Sequence, residues 1–400
     1  MRILAVIVNL VPYHLARWGA VAAAGHQLTV LQRRAGDPFA VLGTDAAEAP
    51  FAVHTLAAPT TAGTSWLQQL LVCIDRTDPQ VVVVSGYSFP ESLAAMLAAA
   101  ERRLPVLVCS ESNRHDAPRR PWSEAIKRRV LRRAQAALVG GQPQASYLEE
   151  LGIPALSIFR GYNAVDNRHF ASASSWRRNR ALAREQLGVP PRYLLAVSRF
   201  TAKKNLVTLI EGFGLWRRQA SDDQRQLALL ILGDGPLRPQ LEARIAELDL
   251  QQHVQLPGPC AYADLPARYG LAKGFIHAST VEQWGLVVNE AMAAGLPVLV
   301  SSTCGCAPEL VHPGVNGLRF DPRSPAAIAT AIAWLAQQAP EALERLGHAS
   351  FNLVSAYGPE SFALGLEAAA AHALHQPMPP LSRLDRALLQ RLIVRAASHP

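Results

Sequence analysis

The chain has 400 residues, half of them hydrophobic and 18% charged, which suits two α/β cores joined by a linker and excludes a disordered chain. Its formal net charge of +8 fits a polyanion or an anionic surface, although nucleic acid is not among the expected partners. The five cysteines lack paired CxxC spacing, which argues against a disulfide framework and for a reduced, cytoplasmic setting; Cys304 and Cys306 alone make a poor zinc site.

The opening run MRILAVIVNL is interrupted by Asn9, Tyr13, His14 and Arg17 before a secretory core could form, so it predicts a first strand. HQLTVL, VVVVS, PVLVCS and AALVG follow, each trailed by a helix-like segment, which is the βαβ signature of a parallel sheet. VVVVS shows no polar alternation, as expected of a strand buried on both faces. Between Arg119 and Arg133 lie Arg120, Lys127, Arg128, Arg129 and Arg132, with Trp122, Ile126 and Val130 at spacings of four. That predicts a helix with one apolar and one basic face, read as a solvated surface, with contact to an anionic membrane as the sharper alternative.

A second series begins at RYLLAVS and continues through QLALLILG, HVQLPG, KGFIHAS and LPVLVSS. The stretch ASASSWRRNR between the two series matches neither strand nor buried helix and marks the hinge. The expected organisation is a first domain over 1–170, a second over 171–356, and terminal helices over 357–400 that return toward the first, with Phe362, Leu366 and Ala370 on one face. No stretch approaches the roughly 20 apolar residues of a membrane-spanning helix, so a soluble or membrane-peripheral chain is expected.

Ligands of open parallel sheets gather at the carboxyl ends of strands, and the second series supplies polar groups there. Arg199 and Lys204 follow RYLLAVS and suit a diphosphate. Gly233-Asp234-Gly235-Pro236 follows LLIL and predicts a sharp turn with Pro236 at the first helical position. Glu282 and Glu290 bracket WGLVVN; a helix opened by Gly285 would offer free amides to phosphate or sugar oxygens, with Glu290 one and a half turns on to accept from vicinal hydroxyls. His277 reads as a core histidine. Neither GxGxxG after the first strand nor GxxxxGK[ST] occurs, which lowers dinucleotide and P-loop readings.

In their order, AVSRFTAKKNL, LLILGDGP, HVQLPG, EQWGLVVNEAMAAGLPVL and CAPELVHPGVNGLRFDP resemble the group 1 (family 4-like) retaining glycosyltransferases of the GT-B fold. The resemblance implies an α/β architecture of two Rossmann-like domains whose parallel sheets face an inter-domain cleft. It implies that Arg199 and Lys204 contact the donor diphosphate, Glu290 the ribose, and Glu282 with the backbone of Trp284, Gly285, Leu286 and Val287 the donor sugar and phosphate, beside Gly233, Asp234 and Gly235. Glu309 falls near that pocket without a role. Where family members carry a double glycine after the first strand, this chain has NLVPYHLARW, and where they carry a histidine after the PVLVCS-type strand it has SESNRHDAPRR. The acceptor side therefore falls on His14, Glu111, His115 or Asp116, and the catalytic set on Glu282, Arg199, Lys204 and His115.

The expected activity is transfer of a sugar from a nucleotide-diphosphate sugar to a glycan, lipid or small-molecule hydroxyl with retained anomeric configuration. No cofactor is expected, and with no DxD-like carboxylate pair, no metal. A nucleotide-sugar epimerase, a glycan phosphorylase and a catalytically degenerate binding subunit are the alternatives.

Overall fold

Alternation along the β-branched runs sends successive side chains to opposite faces, and both faces are buried. In β1 (Arg2–Ile7), Leu4 and Val6 enter one core while Ile3, Ala5 and Ile7 enter another; in β4 (Val81–Ser85), Val82 and Val84 part from Val81 and Val83 in the same way. Each such valine contributes about 1.5–3 kcal/mol of apolar burial. The computed structural model describes residues 1–33, 49–57, 65–177 and 180–397, and the chain divides into two units, Met1–Ala164 with Gly358–Pro400 and Val165–Tyr357.

The first unit adds β2 (Gln27–Gln32), β3 (Ala52–Thr55), β5 (Val106–Ser110), β6 (Ala136–Val139) and β7 (Ile158–Arg160). Among the described residues these pair in parallel as seven strands ordered β3-β2-β1-β4-β5-β6-β7. Helices α1 (Pro12–Ala23), α2 (Trp66–Thr77), α3 (Pro90–Arg102), α4 (Pro121–Leu131) and α5 (Gln142–Glu150) connect them. Ser65 and Gln68 close a reciprocal capping box at the start of α2.

The second unit begins with short helices α6 (Asn167–Ala171) and α7 (Ala173–Trp176), then α8 (Arg180–Leu187). The hinge stretch expected to be neither strand nor buried helix is thus mostly helical, and Ala173 and Phe170 are fully buried; Arg178 and Asn179 lie outside the described residues. Serine-rich turns hid a helix whose buried side is carried by single small or aromatic residues. Strands β8 (Tyr193–Val197), β9 (Ala228–Leu232), β10 (Val254–Gly258), β11 (Gly274–His277), β12 (Val298–Ser301) and β13 (Gly317–Phe320) form a parallel sheet ordered β10-β9-β8-β11-β12-β13 among the described residues. Helices α9 (Leu206–Gln219), α10 (Arg238–Glu247), α11 (Leu265–Leu271), α12 (Leu286–Ala293), α13 (Ala307–Leu310), α14 (Pro325–Ala336) and α15 (Pro340–Val354) flank it.

Two closing helices, α16 (Pro359–Leu374) and α17 (Arg383–Ala397), belong to the first unit. Phe362 of α16 meets Trp18 of α1 edge-on, ring centroids 5.1 Å apart, and Leu389 of α17 is buried in the core that includes α3. Among the described residues no helix is long and apolar enough to cross a membrane.

The basic helix α4 departs from the reading as a freely solvated cationic face. Arg129 donates to Asp385 of α17 at 2.7 Å, Lys127 to Glu124 and Tyr147, Arg128 to the Glu150 carbonyl, and the buried Arg133 to the carbonyls of Pro379 and Pro380. Arg119 stacks over Tyr147 at 4.2 Å. Most of these cations fasten α4 to its neighbours, which sequence could not show because the partners lie far along the chain.

Candidate functional site at the carboxyl ends of the second sheet

Strand order reverses between β8 and β11, and such switch points open a crevice at the carboxyl ends of the strands. The turns that leave β8 and β11 therefore meet. Asn205, in a left-handed conformation, donates from Nδ2 to the carbonyls of Ala278 and Pro322 at 3.1 and 2.7 Å and so ties the β8 turn to the β11 turn. Lys204, beside it, forms an ion pair with Glu282. His277 Nε2 lies 3.1 Å from the same Glu282 oxygen, and Ser279 Oγ donates to it at 3.2 Å.

Glu282 thus gathers three partners in a half-buried setting. Burial alone would raise its pKa, but the His277 hydrogen bond and the Lys204 charge overcome that and hold the carboxyl well below the usual carboxylate range. Burial lowers the pKa of His277 against the raising effect of Glu282. The reading of His277 as a satisfied core histidine was incomplete, since it is buried yet turned onto a candidate site residue. Its position at the end of β11 was the signal available in the sequence.

Gly285 caps α12 with φ 103°, and a Cβ there would stand 2.8 Å from Cys304 Sγ, so the tight approach of the 304–306 turn requires glycine. No side chain caps this helix. The first-turn amides of Leu286 and Val287 therefore point toward the end of the helix where anions are favoured. Glu290, on the same helix, accepts a 2.8 Å hydrogen bond from Tyr269 Oη. Burial pushes its pKa up to about 7, opposed by the Tyr269 bond. The pKa values of two carboxylates eight positions apart are thus pushed in opposite directions, the arrangement that separates roles within a site. Tyr269 was not singled out from sequence, because nothing local distinguishes it from a core tyrosine.

Other expected residues fall differently. Arg199 lies exposed on the β8 turn, not in the Lys204 ion pair. Gly233, φ 131°, brings its Cα so close to the Ser198 carbonyl that a Cβ would stand 1.9 Å from that oxygen, which locks the β9 turn against the β8 turn. The Asp234 carboxylate is engaged within its own turn, accepting from Gly235 N–H at 2.7 Å and Arg238 Nε at 2.9 Å. Pro236 does not open the helix, which begins at Arg238 once the Asp234–Arg238 pair has closed the turn. The Trp284 side chain is core, its Nε1 donating to Asn289 Oδ1 at 2.9 Å, while its carbonyl accepts from Cys306 N–H. Glu309 accepts a long, 3.5 Å contact from Tyr357 Oη.

In the first unit, His14 sits in the first turn of α1, its ring tilted 56° against Tyr13, and burial with the neighbouring Arg17 lowers its pKa to about 3. Glu111 follows β5 and accepts from Asn163 Nδ2 at 2.5 Å. His115 is exposed, and Asp116 accepts from the Asn113 N–H and from Arg119. Asp116 thus shapes its loop.

Two parallel sheets in two units, with this strand-end cluster, define an α/β protein of the GT-B fold. A solved structure of Anabaena HepE with UDP and glucose superposes with TM-score 0.72 at 19% identity over 92% of this chain and 98% of that one. Sucrose-phosphate synthase of Thermosynechococcus elongatus superposes at 0.69 with 19% identity over 92% of this chain and 98% of its own. Residues 179–352 match the family described as glycosyl transferases group 1, and residues 9–163 match the glycosyl transferase 4-like domain. Together these matches support a group 1 glycosyltransferase.

Among curated proteins, the alpha-D-kanosaminyltransferase of Streptomyces kanamyceticus is 28% identical over 59% of this chain and 60% of its own length. The GDP-mannose-dependent alpha-(1-6)-phosphatidylinositol monomannoside mannosyltransferase of Mycobacterium tuberculosis is 33% identical over 38% of this chain and 40% of its own. The matched stretches thus span less than two thirds of either relative.

Proposed function

We propose that the protein transfers a sugar from a nucleotide-diphosphate sugar to an acceptor hydroxyl, with retention of anomeric configuration. The observation that carries this reading is the convergence of Lys204, His277 and Ser279 on Glu282 at the switch point, beside the uncapped start of α12. An arriving diphosphate offers Lys204 a second anion, and the α12 amides add donors that need no reorganisation as leaving-group charge grows. Arg199, exposed on the same turn, supplies a further cation. Glu290 suits the vicinal hydroxyls of a ribose, because its remaining oxygen lone pairs lie beside the Tyr269 bond.

In this reading the work is electrostatic stabilisation and positioning, without a protein nucleophile. Glu282, pinned by three partners, orients Lys204 and the donor sugar. The acceptor side is assigned to the first unit, with Glu111 as its strand-end carboxylate. No divalent ion is assigned a part, so chelator is expected to leave the rate intact. The names of relatives point to different nucleotides, so the test is a panel that includes UDP-glucose and GDP-mannose. Nucleotide release accompanied by a glycosylated product, its anomeric configuration read by proton NMR, is the expected result. Interconversion of the donor without transfer, or an inverted product, contradicts it.

A further inference from the structure

At the amino ends of the second sheet, opposite the strand-end site, lies a cavity of about 860 Å³. Arg192 precedes β8 there, Lys273 precedes β11, and Pro297 precedes β12, while α8 and α15 supply further walls. Small-molecule sites occupy about 300–1,000 Å³, so the volume suits a ligand rather than a few waters.

Five cations line it, Arg177, Arg180, Arg184, Arg192 and Lys273, against the carboxylates of Asp223 and Glu344. Three of the five have structural partners. Arg177 donates to the carbonyls of Gly270, Ala294 and Gly295 and so closes the carboxyl end of α12. Lys273 donates to the Ala336 carbonyl at 2.8 Å, and Arg192 pairs with Asp223 at 2.7 Å.

Arg180 and Arg184 stand apart. They are one turn apart on α8, so two like charges share one helix face, an arrangement that destabilises a helix unless an anion is shared. Arg184 Nε is buried without a hydrogen-bond partner among the described residues. Burial and the Arg180 charge both act against the charged form of Arg184. On α15, Leu343, Gly347 and Phe351 recur at intervals of four along another wall, and Phe351 is 41% exposed, a large aromatic surface that no core covers.

We infer that this cavity binds an organic phosphate, its phosphate held by Arg180 and Arg184 and its apolar or flat body laid against Phe351. Guanidinium groups match phosphate oxygens in a fork geometry, and a paired phosphate relieves the repulsion between the two arginines. A bare inorganic ion would leave most of the cavity and the aromatic wall unused. The site is separate from the nucleotide-sugar site because the two lie at opposite ends of the same strands.

The test is calorimetric titration of the full chain with AMP, glucose 6-phosphate and inorganic phosphate. We expect at least one of the organic phosphates to bind, with affinity falling at least tenfold in Arg180→Glu and in Arg184→Gln and several-fold in Phe351→Ala. Arg180 is exposed, so Arg180→Glu keeps the fold, which its melting curve checks. Glu290→Gln separates the two sites, since it leaves this binding unchanged and weakens only binding at the other end of the sheet. The inference is overturned if neither organic phosphate binds, if binding survives both arginine substitutions or is lost only in Glu290→Gln, or if inorganic phosphate binds as tightly as both and Phe351→Ala has no effect.

Discussion

At the carboxyl ends of β8 and β11 a lysine, a histidine and a serine converge on one carboxylate, whereas at the carboxyl ends of β1 and β5 no such convergence occurs among the described contacts of Glu111, Asp116 and His14. Lys204, His277 and Ser279 share Glu282. In the first unit Glu111 takes the Asn163 amide, Asp116 takes Arg119, and His14 is held neutral beside Arg17. One sheet end is a charge cluster that an incoming anion can re-pair; at the other the charged groups are kept apart, and His14 Nδ1 and Arg17 Nη2 are buried there without a hydrogen-bond partner among the described residues. In the proposed function, the difference matches a multiply charged donor at the second unit and the acceptor at the first.

The largest effect is expected of Lys204→Ala. It removes the cation that faces both Glu282 and the proposed diphosphate, and we expect the transfer rate to fall roughly 10²–10³-fold, as for loss of one preorganised donor. It also leaves a half-buried carboxylate with neutral partners, so urea unfolding should show lower stability. A wild-type rate with an identified donor contradicts the diphosphate assignment.

Glu290→Gln comes next, with about 1.5–3 kcal/mol lost from nucleotide binding. Glutamine is preferable to alanine because truncation would leave the buried Tyr269 hydroxyl without its acceptor.

The two units should also respond to pH with opposite signs. The Glu290 pKa is raised, so its contribution to apoprotein stability is fully present below the unfolded value near 4.5 and is lost as pH rises through about 7. The His14 pKa is lowered, so its contribution is present above 6.5 and is lost as pH falls toward about 3. Melting curves from pH 4 to 8 for wild type, Glu290→Gln and His14→Gln check this. Glu290→Gln should remove only the loss on the alkaline side and His14→Gln only the loss on the acidic side.

The smallest effect is expected at His115, which is exposed on its loop. His115→Ala should change stability by no more than about 0.5 kcal/mol. A large loss of transfer at unchanged donor affinity would return His115 to the reacting centre and erase the contrast between the units.

What sequence made legible follows burial. The central strands were readable because unbroken apolar runs such as 81–84 can only be buried on both faces. Edge strands β3, β7 and β13 were not, since they have three or four residues each, only two of them buried, both in β13, so no apolar run marks them. Glu282 and Glu290 were marked as candidates by the small and apolar residues around a glycine-opened helix. Their hydrogen-bond partners His277 and Tyr269 come from a preceding strand and helix and become visible only when those elements pack. Asp234 shows the converse, a carboxylate at a strand end whose partner four residues on, Arg238, takes it into the turn.

In the proposed function, the second unit's strand-end cluster holds a nucleotide diphosphate. Calorimetric titration of UDP and of GDP into the wild type, Lys204→Ala and Glu290→Gln, in buffers of differing ionisation enthalpy near pH 7, tests it most directly. We expect one nucleotide to bind the wild type with release of a proton as Glu290 ionises, weaker binding in both variants, and no proton release in Glu290→Gln. Absence of binding by either nucleotide, or binding that neither substitution changes, contradicts the claim.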